Sequence, residues 1–243
     1  MKLKLAKTYD SCMAGEPKLT VVLIHGIASD SSTYDKALAY FRNDHDLDEV
    51  RFVTFDLLGS GKSLKSDELE YNYREQVVAL HNAISELGVK TPLILVGHSL
   101  GTFIVTKYAS EYKKEISRLI LVSPPVYTER DFDNPAFSLG IEAFKKAIGM
   151  KNPQIVEEKA FLNSMSKIVL RRDNYKRLAE LDVPTVLIYS GEDQLIAPHN
   201  IPAMVEKNKK MRARKTVGRH GVSEDKYIEI TKVLKEVLDA EAI

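Results

Sequence analysis

Five short apolar, β-branched runs recur along the chain, separated by longer stretches of mixed polarity: LTVVLIHG (19–26), VRFVTFD (50–56), TPLILVGHS (91–99), ISRLILVSPP (116–125) and VPTVLIYSGED (183–193). Their apolar residues are consecutive instead of alternate, so each predicts a strand buried on both faces. Strands of that kind form a parallel sheet covered by helices. The intervening patterns predict helices at about 31–41, 71–87, 99–112, 198–207 and 223–240. In the last, Ile228, Val233, Leu234 and Val237 are spaced to make one buried stripe. This alternation describes an α/β fold with a doubly wound, mostly parallel sheet. Near the start, KLKLAKT alternates in character and predicts an edge strand, paired antiparallel with the next strand.

One segment interrupts the rhythm. From Pro124 to Arg177 no good strand is visible, only helical pieces carrying Phe132, Phe137, Phe144, Phe161, Leu162, Met165 and Ile168. An insertion of this size in a fold of short loops calls for a functional account. The expected organisation is therefore a core of residues 1–123 and 178–243, with 124–177 as a helical cap inserted after the strand at 116–122. Phe137, Phe144, Phe161 and Met165 are the candidate substrate contacts of that cap.

At 243 residues the chain is long enough for one well-buried core. Its 35 Lys plus Arg nearly balance 34 Asp plus Glu, so a net charge of +1 gives no pull toward nucleic acid or an anionic membrane. The basic runs RRDNYKR (171–177) and KNKKMRARK (207–215) read as solvated faces. The N-terminal MKLKLAKTYDSC lacks the basic and continuous apolar regions of a signal peptide, and the longest apolar runs are strand-sized. Cys12 is alone and fits a reducing compartment, so a cytoplasmic protein without membrane insertion is expected. Oligomeric state is left open.

Two stretches imitate ligand sites. DLLGSGKS (56–63) ends like a phosphate-binding P-loop, but the glycine required five positions before Gly61 is Asp56. A dinucleotide pattern fails as well, because Leu64 stands where a third glycine is needed. The acidic NDHDLDE (43–49) spaces Asp44, Asp46 and Asp48 like a calcium loop, yet Glu49 and Phe55 replace the required glycine and glutamate. No cofactor and no metal are expected.

The chemistry concentrates in LILVGHSLG (93–101). Ser99, flanked at ±2 by Gly97 and Gly101, follows an apolar strand and precedes the helical TFIVTKYASEY. That context makes the serine a nucleophile on a sharp strand-to-helix turn, with the helix N-terminus and the Leu100 N–H favouring developing negative charge. A serine hydroxyl needs a base, and the base an orienting group. Asp193 ends a strand on the same sheet edge as Ser99, and His199 and His220 both follow it. His220, after the possible last strand RKTV (214–217), is the better base, since His199 leads into a helix.

The order Ser99, Asp193, His220, with HGIASDSSTY, DLLGSGKS, GHSLG, SGEDQLIAP and GRHG at matching places, resembles the alpha/beta-hydrolase family over nearly the full length. The resemblance implies an oxyanion hole made by the backbone N–H groups of Ile27 and Leu100. It also makes DLLGSGKS, through Asp56, Gly59, Gly61 and Ser63, a scaffold turn in which Lys62 is incidental. Arg219 departs from the less basic residue usual before the family's histidine.

The function expected is a serine hydrolase acting on a small-molecule carboxylic ester of small to medium size, partly apolar, through an acyl-enzyme. Thioesters, lactones and carbon–carbon bonds beside a ketone suit the same groups; for the last, Arg171 and Arg172 would be the cationic cap residues. A ligand-binding module that keeps the pocket with little turnover is the reading from another class.

Overall fold

In the computed structural model, residues 2–11, 15–149 and 155–241 are described; Cys12 and residues 150–154 of the interrupting segment lie outside them. Among the described residues seven strands form one sheet: β1 (Ala6–Asp10), β2 (Leu19–Ile24), β3 (Val50–Asp56), β4 (Leu93–His98), β5 (Arg118–Val122), β6 (Thr185–Ser190) and β7 (Met211–Thr216). The order is β1-β3-β2-β4-β5-β6-β7, parallel throughout except for β1. The helices are α1 (Asp35–Arg42), α2 (Tyr73–Glu86), α3 (Leu100–Glu111), α4 (Glu129–Phe132), α5 (Pro135–Gly149), α6 (Glu158–Ser164), α7 (Asn174–Ala179), α8 (Ile201–Lys207) and α9 (Glu224–Glu241).

Consecutive apolar residues in the strands serve two cores. Leu19, Val21 and Leu23 of β2, with Ile94 and Val96 of β4, face α1 and α9; Val22, Ile24 and Leu95 face the core that includes α2 and α3. Every residue of β2, β4 and β6 is buried, which is why their sequences show no alternation. Each aliphatic side chain so buried contributes about 1.5–3 kcal/mol.

Two expectations are corrected. β1 pairs with β3, from Ala6 against Asp56 to Asp10 against Val53, and not with the next strand. β2 has β3 and β4 on its two edges, so it has no edge open to β1, which adds instead to the far side of β3. In α9, Ile228 is only half-buried; the stripe is Ile230, Val233, Leu234 and Val237.

The parallel register brings the carboxyl ends of β2, β4, β5 and β6 to one edge, with Ile24 against Gly97 and His98 against Val122. Between β5 and β6 lie α4 to α7, with no strand among the described residues. This layer is tied to the core at several places. Gly61 N donates to Ile155 O (2.8 Å), Glu157 N to Gly59 O (3.1 Å), and the Tyr71 hydroxyl to Glu157 (2.6 Å). Residues 165–169 form a π-turn closed by Leu170 N on Met165 O (2.9 Å).

Candidate active site

Ser99 is held in a conformation that L-residues avoid, φ 49° and ψ −113°, between β4 and α3. The flanking glycines permit it for steric reasons. A Cβ on Gly97 would lie 2.6 Å from the Gly101 carbonyl carbon, and one on Gly101 would lie 2.3 Å from the Ile24 carbonyl oxygen. The turn is fastened by Ser99 N on Val122 O (3.0 Å) and by the Thr102 N–H and hydroxyl on Ser99 O (3.0 and 2.6 Å). The serine therefore sits at the N-terminus of α3 with its hydroxyl toward a cavity.

Asp193, three residues past the end of β6 and its side chain fully shielded from solvent, accepts from Leu195 N at 3.0 Å and meets His220 Nδ1 at 2.9 Å. Burial favours the protonated carboxyl, but the His220 hydrogen bond and charge, the Leu195 N–H and the Lys226 charge outweigh it, and its pKa falls. The carboxylate thus remains ionised and orients the imidazole. His220 lies in the 217–223 loop between β7 and α9 and shares a cavity with Ser99.

The His25–Ala28 turn packs on the elbow, since a Cβ on Gly26 would fall 3.1 Å from Ser99 Cβ. His25, buried and pushed toward neutrality chiefly by desolvation, accepts Leu57 N–H on Nε2 (2.9 Å), so Nδ1–H donates to Gly26 O (2.8 Å). Burial likewise pushes the His98 imidazole down to about 3. Neutral His98 donates Nε2–H to the His220 carbonyl at 2.9 Å and leaves Nδ1 without a partner among the described residues. The main-chain N–H groups of Ile27 and Leu100 have no protein acceptor among the described residues. Ile27 itself lines the cavity above Ser99.

That cavity, about 290 Å³, has Ser99, His220 and Ile27 at its floor, and Tyr127, Phe137, Ile141, Phe144, Met165, Val169 and Leu195 among its walls. Most of the wall comes from the layer between β5 and β6. Two wall residues, Met165 and Val169, are the ends of the π-turn.

A family model described as the alpha/beta hydrolase fold matches residues 20–143, just over half of the chain. The chain belongs to the alpha/beta hydrolase fold family. Among curated relatives of this hydrolase-fold chain, a probable lysophospholipase, BODYGUARD 1 of Arabidopsis thaliana, is 35% identical over 109 residues, 44% of this chain and 23% of that protein. The chain thus spans about a quarter of the plant relative's length. Lipase 1 of Psychrobacter immobilis is 24% identical over 226 residues, 82% of this chain and 68% of that one. A thermophilic esterase from Thermogutta terrifontis superposes with a TM-score of 0.72 at 18% identity, covering 98% of each chain.

Within the hydrolase fold, three of the four residues expected to contact substrate, Phe137, Phe144 and Met165, line the cavity. Phe161 does not: it is buried beneath α6, in a separate small space bounded by Leu57, Leu58, Gln76 and Leu100. α6 docks directly on the 56–63 turn, which turns Phe161 inward to the core. His199 is exposed and 3.5 Å from Asp131; it does not line the Ser99 cavity but an adjoining, more open one that shares Tyr127, Phe137 and Gln194 with it. Arg171 pairs with Asp173, and Arg172 with Glu129 and Asp133, all on the outside.

DLLGSGKS holds a carboxylate where a P-loop would hold phosphate. Asp56 accepts Ser31 N on Oδ1 and Lys62 N on Oδ2, both at 2.8 Å. A Cβ on Gly61, whose φ is +48°, would lie 2.2 Å from Asp56 Oδ2. Ser63 Oγ donates to Asp56 O (2.5 Å) and accepts from Ala6 N (2.7 Å), tying β1 to the turn. The Lys62 side chain is exposed. Asp44 and Asp46 pair with Lys235, and no group of three metal-ligating side chains occurs among the described residues. Among those residues no helix is long and apolar enough to cross a membrane.

Sequence reasoning missed Lys226, Tyr127, Ile141, Val169 and Leu195. For Lys226 a signal existed: it lies four, seven and eleven residues before Ile230, Val233 and Val237, so helical phase places it on the buried stripe of α9.

Proposed function

We propose that the protein is a serine hydrolase that cleaves a small to medium, partly apolar carboxylic ester through an acyl-enzyme. The observation that carries this reading is the meeting, at one apolar cavity, of Ser99 on its strained turn and His220 bonded to a buried Asp193. The relatives' names, lysophospholipase, lipase and esterase, support an ester as the substrate. The cavity lies at the small end of the range for ligand sites, which favours a short to medium acyl or alcohol group.

In the proposed mechanism Ser99 Oγ attacks the ester carbonyl carbon while its proton passes to His220 Nε2. The tetrahedral oxyanion accepts the N–H groups of Ile27 and Leu100; a single such donor is worth about 3–4 kcal/mol of transition-state stabilisation. Asp193 fixes the tautomer and stabilises the imidazolium. Collapse breaks the bond to the alcohol oxygen, which takes the proton from His220. Water, deprotonated by the same imidazole, then releases the acid and restores Ser99. Residues 124–177 act as the cap that supplies the apolar wall and limits water at the acyl-enzyme.

Arg171 and Arg172, engaged by carboxylates on the outer surface, offer no cationic partner within the cavity, so a carbon–carbon hydrolase on a carboxylate-bearing substrate is the weaker reading. A p-nitrophenyl ester series from acetate to palmitate tests the proposal. The highest kcat/KM is expected among the short and medium chains. Turnover of no ester above the Ser99→Ala background removes the reading in favour of a binding module.

A further inference from the structure

Lys226 lies in the first turn of α9 and is fully buried. Burial pushes its ammonium down to about 8, against the attraction of the Asp193 carboxylate. An ammonium has three donors and no acceptor, and all three have oxygens to meet. Nζ donates to Ser123 Oγ (2.8 Å), to the Gly221 carbonyl (2.8 Å) and to the Arg219 carbonyl (2.5 Å). The carbonyl between those two, that of His220, is the one that accepts His98 Nε2–H at 2.9 Å.

Three successive carbonyls of the 217–223 loop are therefore turned inward and held by two buried side chains from distant parts of the chain. The loop has left β7 at Thr216 and does not enter α9 until Glu224, so no strand ladder or helix fixes it. A methionine at 226 would continue the apolar stripe at no desolvation cost, and a buried cation there is intelligible through what it holds.

We propose that Lys226 is a positioning residue for His220: its ammonium gathers the carbonyls on either side of that histidine and, together with His98, keeps the imidazole directed at Asp193 and the Ser99 cavity. The proposal rests on the reading of His220 as the general base.

Lys226→Met tests it, with two readouts. The first is steady-state hydrolysis of a p-nitrophenyl ester: kcat should fall on the order of 10- to 100-fold with KM little changed, as expected for displaced reacting groups. The second needs no activity. The far-downfield proton NMR signal of His220 Nδ1–H, bonded to Asp193 in the wild type, should be lost or broadened in the folded variant. A folded Lys226→Met with wild-type kcat and an unmoved signal overturns the proposal. Should that variant not fold by circular dichroism, Ser123→Ala decides. It keeps the lysine but removes one of its oxygens, and a smaller fall in kcat with a shifted signal is expected; no change in either overturns the proposal. A wild type that gives the signal but hydrolyses no ester defeats the hydrolase reading instead, and the loop proposal is then judged on the signal alone.

Discussion

Two glycine-flanked turns at the same edge of the sheet, GHSLG at 97–101 and DLLGSGKS at 56–63, use one steric device for opposite ends. In both, a Cβ on a glycine would run into its surroundings: into the Ile24 carbonyl at Gly101, and into the Asp56 carboxylate at Gly61. The first turn is thereby free to push Ser99 into an open cavity at φ 49°. The second closes on its own aspartate, satisfies it with two backbone N–H groups and leaves nothing for a ligand. A glycine pattern marks a close approach of backbone, and what the turn encloses decides whether it marks a site. Gly140, inside α5 and at the cavity wall, is a third case, where a Cβ would meet nothing within 4 Å.

Changes in the first turn and its partners should abolish chemistry and spare the fold, and changes in the second should do the reverse. The largest effect is expected for Ser99→Ala, with kcat on p-nitrophenyl esters falling on the order of 10⁴-fold or more and the urea midpoint nearly unchanged. His220→Ala should lose a comparable factor, whereas His199→Ala, exposed beside Asp131, should stay within about twofold of wild type in the same assay. Gly61→Ala should lower unfolding stability by about 1–3 kcal/mol in urea titrations, with kcat per folded molecule retained. Gly140→Leu, which fills open space in the cavity wall, should keep the hydrolysis of acetate but shift the chain-length preference toward shorter esters by about tenfold. Lys62→Ala should alter neither stability nor turnover, and calorimetric titration of the wild type with magnesium and ATP should show no heat of binding.

The fold and the geometry of the elbow were legible in the sequence for local reasons. Strands buried on both faces give unbroken apolar runs, and a serine between two glycines at a strand-to-helix junction meets the steric demands of a sharp, strained turn within five residues. The partner of β1 was not legible, because pairing depends on which sheet edge remains open and not on β1's own residues. Phe161 resembled Phe137 and Phe144 in sequence and parted from them in space, since the docking of α6 on the 56–63 turn decides which way it faces. Lys226 was passed over because a charge near a helix start reads as solvated unless its phase is checked against Ile230, Val233 and Val237.

The central claim is that Ser99 is the nucleophile. Incubating the wild-type protein with a fluorophosphonate and mapping the product by intact mass and peptide mass spectrometry tests it most directly. One adduct per chain, on the peptide containing Ser99 and absent from Ser99→Ala, is the expected result. No adduct, or an adduct on another serine that persists in Ser99→Ala, would contradict the account.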